Sequence, residues 1–248
     1  MLSTGTGVKA PWLKSVISKA KTVIEQWLIE CDFQVYCSIS GGKDSLVAAH
    51  LITTVYPQCP LVWVNQGHLA EWEDCIELIE NYKEQGLNVI ELCPVRSLLN
   101  LYVDYGIPLD GKMNTKLDKV INQKLMYDPL DEYTENNNIK GYAWGIRSQE
   151  SKGRALYLKK HGLVYKTKAD LVVCSPVGFW RTEAIWQYID NFSLKYPAMY
   201  DIDRMTVRNG PPIGTTGINW GRIANLRLHF PDKYEAFALI FPEIRRYT

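Results

Sequence analysis

The stretch YCSISGGKDSLVAAHL, residues 36–51, constrains the fold of this chain more than any other segment. Residues 33–38 mix β-branched and aromatic side chains, which predicts a strand, and the apolar residues of 46–51 recur at helical spacing. The glycine pair therefore stands between a strand and the first turn of a helix. Backbone amides point outward at such a turn, and the helix dipole there favours an anion. The sequence thus predicts an α/β fold that carries a phosphate-binding turn.

Four further apolar runs indicate that strands and helices alternate along the chain. They cover residues 59–65, 87–92, 141–146 and 170–176. Apolar spacing predicts helices close to residues 11–28, 43–56, 71–85, 116–125, 219–227 and 233–241. Such alternation is typical of a parallel sheet covered by helices on both faces. We therefore predict an α/β fold with a doubly wound, mostly parallel five-stranded sheet and a helical C-terminal tail.

Polar segments follow four of the predicted strands. They are SGGKDS at 40–45, NQGH at 65–68, GIRSQES at 145–151 and SPVGFW at 175–180. In open parallel sheets, ligands bind beyond the carboxyl ends of the strands. We therefore expect these four segments to contribute to one site.

Composition narrows the class of protein. Hydrophobic residues make up 46% of the 248 residues, which is enough for a full core. The formal net charge of +1 gives no global field that would recruit nucleic acid or an acidic membrane, although local basic patches remain open. The six cysteines contain no C-x-x-C pair, so a zinc or iron–sulfur site has no local signature. No apolar run reaches the length of a membrane span, and we expect a cytoplasmic protein with reduced thiols.

The motifs resemble those of a known family. SGGKDS is shorter than the Walker A loop and resembles the PP-loop of the N-type ATP pyrophosphatases, in the adenine nucleotide α-hydrolase superfamily. Four later stretches resemble, in order, the motifs of the phosphoadenosine phosphosulfate reductase family. They are VNQGHLAEWED, GIRSQESKGRA, SPVGFWRTEAIWQYI and YPAMYD. The resemblance covers residues 33–205 and implies the Rossmann-like fold of that superfamily.

The pattern along the chain also suggests a division into domains. Residues 104–140 form a long polar connection, and connections of this length are commonly lids or binding loops. We predict a PP-loop nucleotide-binding domain over residues 1–194, which includes this lid-like connection. A helical extension over residues 195–248 would pack on it.

The resemblance implies which residues bind ATP. They are Ser38, Ser40, Gly41, Gly42, Lys43, Asp44, Ser45, Asn65, Gln66, Gly67, Gly145 and Arg147. Residues 40–45 would wrap the β- and γ-phosphates through amides and hydroxyls, with glycine where a side chain would block the approach. Residues 65–67 would contact adenosine.

The same resemblance implies four catalytic candidates, Lys43, Asp44, Arg147 and Arg154. Lys43 would place a compact positive charge on phosphate oxygens, and Asp44 would hold Mg²⁺ through water. The two arginines would clamp phosphate or a second anionic substrate, because the guanidinium fork fits such oxygens.

More ordinary interpretations compete with these roles. Arg147 and Arg154 also fit a solvated helix face with spaced ion pairs. His68 is typical of a loop histidine rather than a catalytic base. Trp180 and Trp186 fit core positions better than positions that stack on a base.

Departures from the family decide the expected chemistry. Its reductases attack sulfur with a cysteine thiolate near the C-terminus, whereas no cysteine follows Cys174 here. Members with metal clusters carry cysteines in the regions that correspond to 111–116 and 208–217, which have none, so no iron–sulfur cluster or zinc is expected. Asn65 and Gln66 also stand where the family usually has Asp-Thr.

We therefore predict an ATP pyrophosphatase-type enzyme that cleaves ATP between the α- and β-phosphates with Mg²⁺ and adenylylates an acceptor. The acceptor stays open between sulfate, a small acid and a base in nucleic acid. Three other functions also stay open: a non-catalytic nucleotide-sensing regulator, a phosphoadenosine phosphosulfate-binding reductase or sulfotransferase with an unusual sulfur donor, and a subunit of a nucleic-acid modification system. The expected partners are the nucleotide, the acceptor, and a second copy of the chain or a protein of such a system.

Overall fold

The computed structural model describes residues 11–67, 69–109, 115–205, 207, 210, 212–214 and 221–247. The strands within these residues are β1 Val35–Ile39, β2 Leu61–Val64, β3 Val89–Leu92, β4 Gly141–Ala143, β5 Val164–Lys166 and β6 Val172–Cys174. They form one sheet in the order β3-β2-β1-β4-β6-β5. β1 pairs in parallel with β2 and β4, and β4 pairs in parallel with β6. The predicted doubly wound, mostly parallel α/β sheet is confirmed.

The sheet of the described residues has six strands where the sequence predicted five. Each predicted run forms a strand, and the additional strand is β5. It has only three residues, and no apolar run marks it. It runs antiparallel to the fully buried β6, with Val164 opposite Cys174 and Lys166 opposite Val172. Val and Tyr favour strands, but a segment this short is identified as a strand only by its pairing with the buried β6.

Helices connect the strands. They are α1 Pro11–Glu30, α2 Lys43–Val55, α3 Glu73–Glu84, α4 Leu98–Tyr105, α5 Lys116–Asn122, α6 Asp128–Asn136, α7 Lys152–His161, α8 Thr182–Phe192, α9 Arg222–His229 and α10 Pro231–Ile240. A π-helix, Gln123–Tyr127, joins α5 to α6, and 3₁₀ turns cover Ser148–Glu150, Ala198–Asp201 and Pro242–Tyr247. The described part of the connection 104–140 is therefore mostly helical. The sequence did not predict α4, α6, α7 or α8. In α7, apolar and basic residues do not separate onto two faces.

The strand order reverses between β1 and β4. From β1 the chain adds β2 and β3 on one side, and β4 then returns to the other side of β1. The turns that follow β1 and β4 are consequently neighbours at the carboxyl edge of the sheet. In doubly wound folds this reversal point is where ligands bind.

The chain divides into two compact units, each built from segments that are separate in sequence. The first unit consists of Met1–Trp63, Glu73–Glu91 and Tyr133–Asn209, and the second of Val64–Trp72, Leu92–Glu132 and Gly210–Thr248. The single boundary after residue 194 stays a prediction.

The structure also shows the state of the cysteines and the length of the apolar helices. All six cysteines are free thiols, and five of them are buried. Within the described ranges, no helix combines the length and the apolar character needed to cross a bilayer.

Candidate functional site

The turn after β1 is shaped by its glycines. Gly41 has a φ of 71°, and a Cβ there would lie 2.6 Å from the Cβ of Cys75 on α3. Gly42 is the N-cap of α2 and supplies no side-chain hydrogen bond to it. Glycine at position 41 is therefore required by the left-handed backbone and by the packing of the turn on α3.

Hydroxyl groups hold this turn together and leave several amides open. The Ser45 hydroxyl accepts a hydrogen bond from the Ser40 amide at 3.2 Å and donates one to the Gly42 carbonyl at 2.9 Å. In the part of the chain that the structure describes, the amides of Gly41, Gly42 and Asp44 have no hydrogen-bond acceptor. Open amides at the first turn of a helix are the groups that bind phosphate in other proteins.

Tyr200 lies beside Lys43, the first residue of α2. The Lys43 amide donates to the Tyr200 hydroxyl at 3.2 Å, and the Lys43 Nζ lies 5.4 Å from the centre of the tyrosine ring. Tyr200 is almost fully buried. Tyr200 therefore holds the start of α2, although it lies 157 positions further along the chain.

A carboxylate lies between two cations at the start of α2. The Asp44 carboxylate accepts from Lys43 Nζ at 3.1 Å and from Arg147 Nε at 2.8 Å. The side chains of Lys43, Asp44 and Arg147 are only 7%, 13% and 3% exposed, so water screens these charges weakly. We call these residues the Lys43–Asp44–Arg147 cluster. Its formal charge is one positive unit, which favours an anion beside the open amides.

Every N–H group of the Arg147 guanidinium has an acceptor. Its Nε and Nη2 donate to the two oxygens of Asp44 at 2.8 and 3.4 Å. Its other contacts are Nη1 to the side-chain oxygen of Gln149 at 3.2 Å, Nη1 to the Trp180 carbonyl at 3.1 Å and Nη2 to the Thr182 hydroxyl at 3.3 Å. Because a guanidinium has five N–H groups, none is left for a phosphate in this arrangement. Arg147 lies on no solvated helix face, and it holds Asp44 in place.

Gly145 brings the turn after β4 against the turn after β1. A Cβ at Gly145 would lie 2.4 Å from the Ser45 amide nitrogen and 2.5 Å from the Asp44 carbonyl carbon. Any side chain would therefore push the two turns apart. Ser38 is also near this edge, on β1 opposite Val62, and it is half-buried.

Arg154 is placed differently from the other catalytic candidates. It lies exposed in the first turn of α7 and forms an ion pair with Glu150. The same Glu150 oxygen accepts a hydrogen bond from the Arg147 amide at 2.8 Å. The structure thus brings Lys43, Asp44, Arg147 and Gly145 together, and it connects Arg154 to them only through Glu150.

The segment Asn65–Gly67 belongs to the second unit. The Asn65 side-chain oxygen accepts from the Gly67 amide at 3.0 Å, and Gly67 has a φ of 99° with Ser97 packed where its Cβ would be. The Gln66 amide nitrogen Nε2 lies 3.7 Å from the Met126 sulfur. Its buried Oε1 has no hydrogen-bond partner among the described residues. His68 lies outside the described residues.

Glu71 is a buried carboxyl group that the sequence analysis left without a role. Its Oε1 accepts from the Gln66 backbone amide at 3.1 Å. The Lys233 Nζ donates to the Glu71 backbone carbonyl at 2.6 Å and lies 5.6 Å from the centre of the Trp72 ring. Burial raises the pKa of Glu71 to about 7, although the Gln66 amide and the charge of Lys233 oppose the rise. Glu71 therefore titrates near neutral pH and holds the segment that follows β2.

The described residues offer little for a resident metal ion. No group of three or more His, Cys, Asp or Glu side chains among them is arranged to hold one. Asp44, the predicted Mg²⁺ ligand, has both oxygens occupied by Lys43 and Arg147. A carboxylate oxygen suits Mg²⁺, but this one fits the ion only if Lys43 first moves away.

Several residues of the site escaped the sequence analysis. Tyr200, Gln149 and Thr182 fix the start of α2 and the Arg147 side chain, and all three lie within stretches already compared with family motifs. Their position within a motif was the one signal in the sequence that they belong to the site. The residues that they contact, Lys43 and Arg147, could be identified only from the fold. Trp180 and Trp186 are buried, as their interpretation as core residues predicted.

Comparisons with known proteins agree on one family. A family model described as phosphoadenosine phosphosulfate reductase domain matches residues 34–207. The phosphoadenosine 5'-phosphosulfate reductase of Synechococcus sp. is 25% identical over 194 residues, which are 76% of this chain and 79% of that protein. The adenosine 5'-phosphosulfate reductase of a Bacillus cereus strain is 25% identical over 178 residues, 70% of each chain.

Solved structures share the fold. The phosphoadenylyl-sulfate reductase of Candida auris, a phosphate complex, has a TM-score of 0.55 at 12% identity and covers 80% of this chain and 94% of that one. The FMN adenylyltransferase of Candida glabrata in complex with ATP has a TM-score of 0.55 at 17% identity and covers 84% of this chain and 65% of that one. At these identities the likeness extends to the fold alone.

Proposed function

The chain belongs to the phosphoadenosine phosphosulfate reductase family, and from this premise we propose that it is an enzyme that cleaves ATP between the α- and β-phosphates and adenylylates an acceptor. The observation that carries the proposal is the open first turn of α2 beside a buried cluster with one net positive charge. A triphosphate offers such a turn several oxygens at once. The proposal includes a cytoplasmic location. It also includes sulfur metabolism as one pathway in which the enzyme would act.

The proposed reaction needs no nucleophile from the protein. An acceptor oxygen forms a bond to the α-phosphorus, the bond from that phosphorus to the bridging oxygen of the β-phosphate breaks, and pyrophosphate leaves with the electron pair. The acceptor's proton, where it has one, passes to solvent. The protein supplies alignment and a fixed positive environment for the leaving group.

Lys43 has the central role in this proposal. Its flexible side chain contacts Asp44 in the structure and can exchange that partner for oxygens of the β- and γ-phosphates. Arg147 is a positioning residue, because all of its N–H groups are committed to protein acceptors. Mg²⁺, if it arrives with the triphosphate, would neutralise phosphate charge, and Asp44 would reach it once Lys43 has moved.

Four of the six cysteines are poorly suited to thiolate-based sulfur chemistry. Burial raises the pKa of Cys31 to about 11 and that of Cys59 to about 12. Burial raises the pKa values of Cys37 and Cys174 as well. A thiol with a raised pKa is a poor nucleophile at neutral pH, because the thiolate is the reactive form.

Pyrophosphate release from ATP and Mg²⁺ tests the proposal, with sulfate, small carboxylic acids and oligonucleotides supplied in turn as acceptors. Lys43→Ala is expected to lower the rate about 100- to 1,000-fold, the usual effect of removing one charge-stabilising donor. Lys14→Ala, at an exposed position of α1, is the matched control and should leave the rate unchanged.

Two results would contradict the proposal. Tight ATP binding without pyrophosphate release for any acceptor would favour a nucleotide-sensing regulator. Stronger binding of phosphoadenosine phosphosulfate than of ATP, measured by calorimetry, would favour the reductase or sulfotransferase.

A further inference from the structure

A cavity of the first unit lies between α7, the strands β4 and β5, and Ser175, which follows β6. Its volume is about 370 Å³, within the range of ligand-binding pockets. Four aromatic side chains line it: Tyr142, Trp144, Tyr157 and Tyr165. The hydroxyls of Thr167 and Ser175 and the side chain of Arg154 complete the polar part of the lining.

The aromatic rings of this pocket are arranged edge to face. The ring centres of Tyr157 and Tyr165 are 5.1 Å apart at 78°, and those of Tyr142 and Trp144 are 5.4 Å apart at 85°. Tyr157 also packs against His161, with ring centres 4.5 Å apart, and Tyr142 is stacked on Tyr36 at 5.7 Å, so a flat third partner would use the remaining face of either ring. Tyr157 is 45% exposed, so its ring can be reached from solvent. The pocket therefore suits a planar ring with hydrogen-bonding edges.

The segment 152–168, which contains α7 and β5, carries a local concentration of positive charge. Between Lys152 and Lys168 the chain has no Asp or Glu and six exposed basic side chains, Lys152, Arg154, Lys159, Lys160, Lys166 and Lys168. Arg154 pairs with Glu150 and Lys166 with Asp170, and the other four have no ion-pair partner in the described ranges. The whole chain has a formal charge of only +1. We call this segment the basic rim, because its elements α7 and β5 border the pocket and its Arg154 lines it.

The pocket adjoins the proposed ATP site along the chain. Trp144 and Ile146 line it, and Gly145 between them packs against the turn of Asp44 and Ser45. A molecule held in the pocket therefore lies next to the segment that positions the catalytic turn.

We propose that this pocket binds an unpaired nucleobase and that the basic rim binds phosphates of the same strand, so that a single-stranded nucleic acid carries the acceptor group. Aromatic faces bind any base by stacking, and lysines that follow the backbone supply affinity that depends on salt. Bases of a duplex cannot enter without being unstacked. The role of this strand as acceptor rests on the function proposed above, whereas its binding does not.

Fluorescence anisotropy with labelled oligonucleotides of about 12 nucleotides tests the binding step. The probes are oligo(U), oligo(A), oligo(dT) and oligo(dA), each single-stranded, and the dA–dT duplex. We expect the single strands to bind more tightly than the duplex at low salt, and comparison of the RNA and DNA probes identifies which strand is preferred. Equal binding of duplex and single strands, or no binding at low salt, would overturn the proposal.

Variants separate the base pocket from the phosphate rim. Tyr157→Ala is expected to weaken single-strand binding about 5- to 100-fold at all salt concentrations, the usual effect of losing one stacking ring. Tyr105→Ala, an exposed tyrosine of α4 outside the pocket, is the matched control and should bind normally. The double variant Lys159→Ala with Lys160→Ala should reduce the salt slope of log K by about 1.4, whereas Lys14→Ala with Lys19→Ala on α1 should leave it unchanged.

Cross-linking of the unmodified protein provides a readout that does not depend on variants folding. An oligonucleotide with one 5-iodouridine, irradiated in the complex, should attach to a peptide within residues 142–167. Attachment elsewhere would overturn the pocket. Binding and cross-linking as expected, without pyrophosphate release from ATP, would support the nucleobase pocket and contradict the proposed adenylylation. Pyrophosphate release with small acids, without oligonucleotide binding, would support the adenylylation and contradict the pocket.

Discussion

Asp44 and Glu71 are two acidic side chains with contrasting surroundings. Asp44 has two side-chain cations on its carboxylate oxygens, in the Lys43–Asp44–Arg147 cluster. The Glu71 carboxylate accepts one backbone N–H, and the lysine beside it donates to the Glu71 carbonyl instead. The two cations beside Asp44 balance the negative charge of its carboxylate. Glu71 has no such cation on its carboxylate oxygens, and burial raises its pKa. Burial of an acid therefore says little about its role until its donors are known.

Removing Arg147 should have the largest effect on the Asp44 region. Arg147→Ala takes the guanidinium from the nearly buried Asp44 carboxylate, which keeps Lys43, and removes the donor of several buried acceptors, so we expect the free energy of unfolding to fall by about 3–5 kcal/mol. Arg154→Ala, which breaks an exposed pair with Glu150, should cost less than about 1 kcal/mol. Urea denaturation of both variants measures the difference. Equal losses would mean that Arg147 does not hold Asp44 as described.

Glu71→Gln should produce the next largest effect, and it should depend on pH. The folded-state pKa of about 7 lies above the ordinary value of 4.5, so the contribution of Glu71 is fully present below about pH 4.5 and is lost as the pH rises through 7. Glutamine keeps an acceptor for the Gln66 amide and carries no charge. The variant should therefore be more stable than the parent at pH 8 by about 1–3 kcal/mol, with no gain at pH 4.5.

The control for this prediction is Glu77→Gln, at an exposed position of α3, which should give no such difference. The pH dependence of the parent's stability does not by itself report on Glu71, because His50 also contributes to it. Burial lowers the pKa of His50 to about 4, so His50 destabilises the fold as the pH falls from 6.5 toward 4. A pH-independent difference between Glu71→Gln and the parent would show that Glu71 is not the group that titrates.

Tyr200→Phe should have the smallest effect and sharpen the description of the ATP site. It removes the acceptor of the Lys43 amide, and we expect a loss of about 1 kcal/mol in the absence of ligand. If a phosphate oxygen can take that amide, ATP should raise the melting temperature of the variant more than that of the parent. Thermal unfolding with and without ATP measures this, and Tyr105→Phe, at an exposed position of α4, serves as the control. A smaller ATP shift in Tyr200→Phe would mean that the tyrosine itself assists binding.

Local sequence signals identified much of the fold. The other five strands and the glycine turn were predictable because apolar runs and glycine pairs report the structure of their own segment. Three-residue β5 was not, because its strand character comes from pairing with buried β6. Helix α7 also escaped prediction, since its apolar residues form no separate face.

The chemistry of the site was less predictable than its place. The residues of 40–45 and 145–147 were expected to meet, and they do. The full occupancy of Arg147 was not predictable, because its acceptors include Trp180 and Thr182, which lie more than thirty positions further along the chain. The raised pKa of Glu71 likewise depends on burial that no local pattern reports.

Gly145 has a consequence that reaches beyond its own turn. Because its hydrogen occupies the place where a methyl group would strike the backbone of Asp44 and Ser45, the separation of the two turns is set by contact between main chains. Main-chain contact is insensitive to rotamer changes, so the alignment of the two turns should survive substitutions around it. Even alanine at this position would act as a wedge, and a rescuing change would have to be sought in the backbone of α2 rather than in any neighbouring side chain.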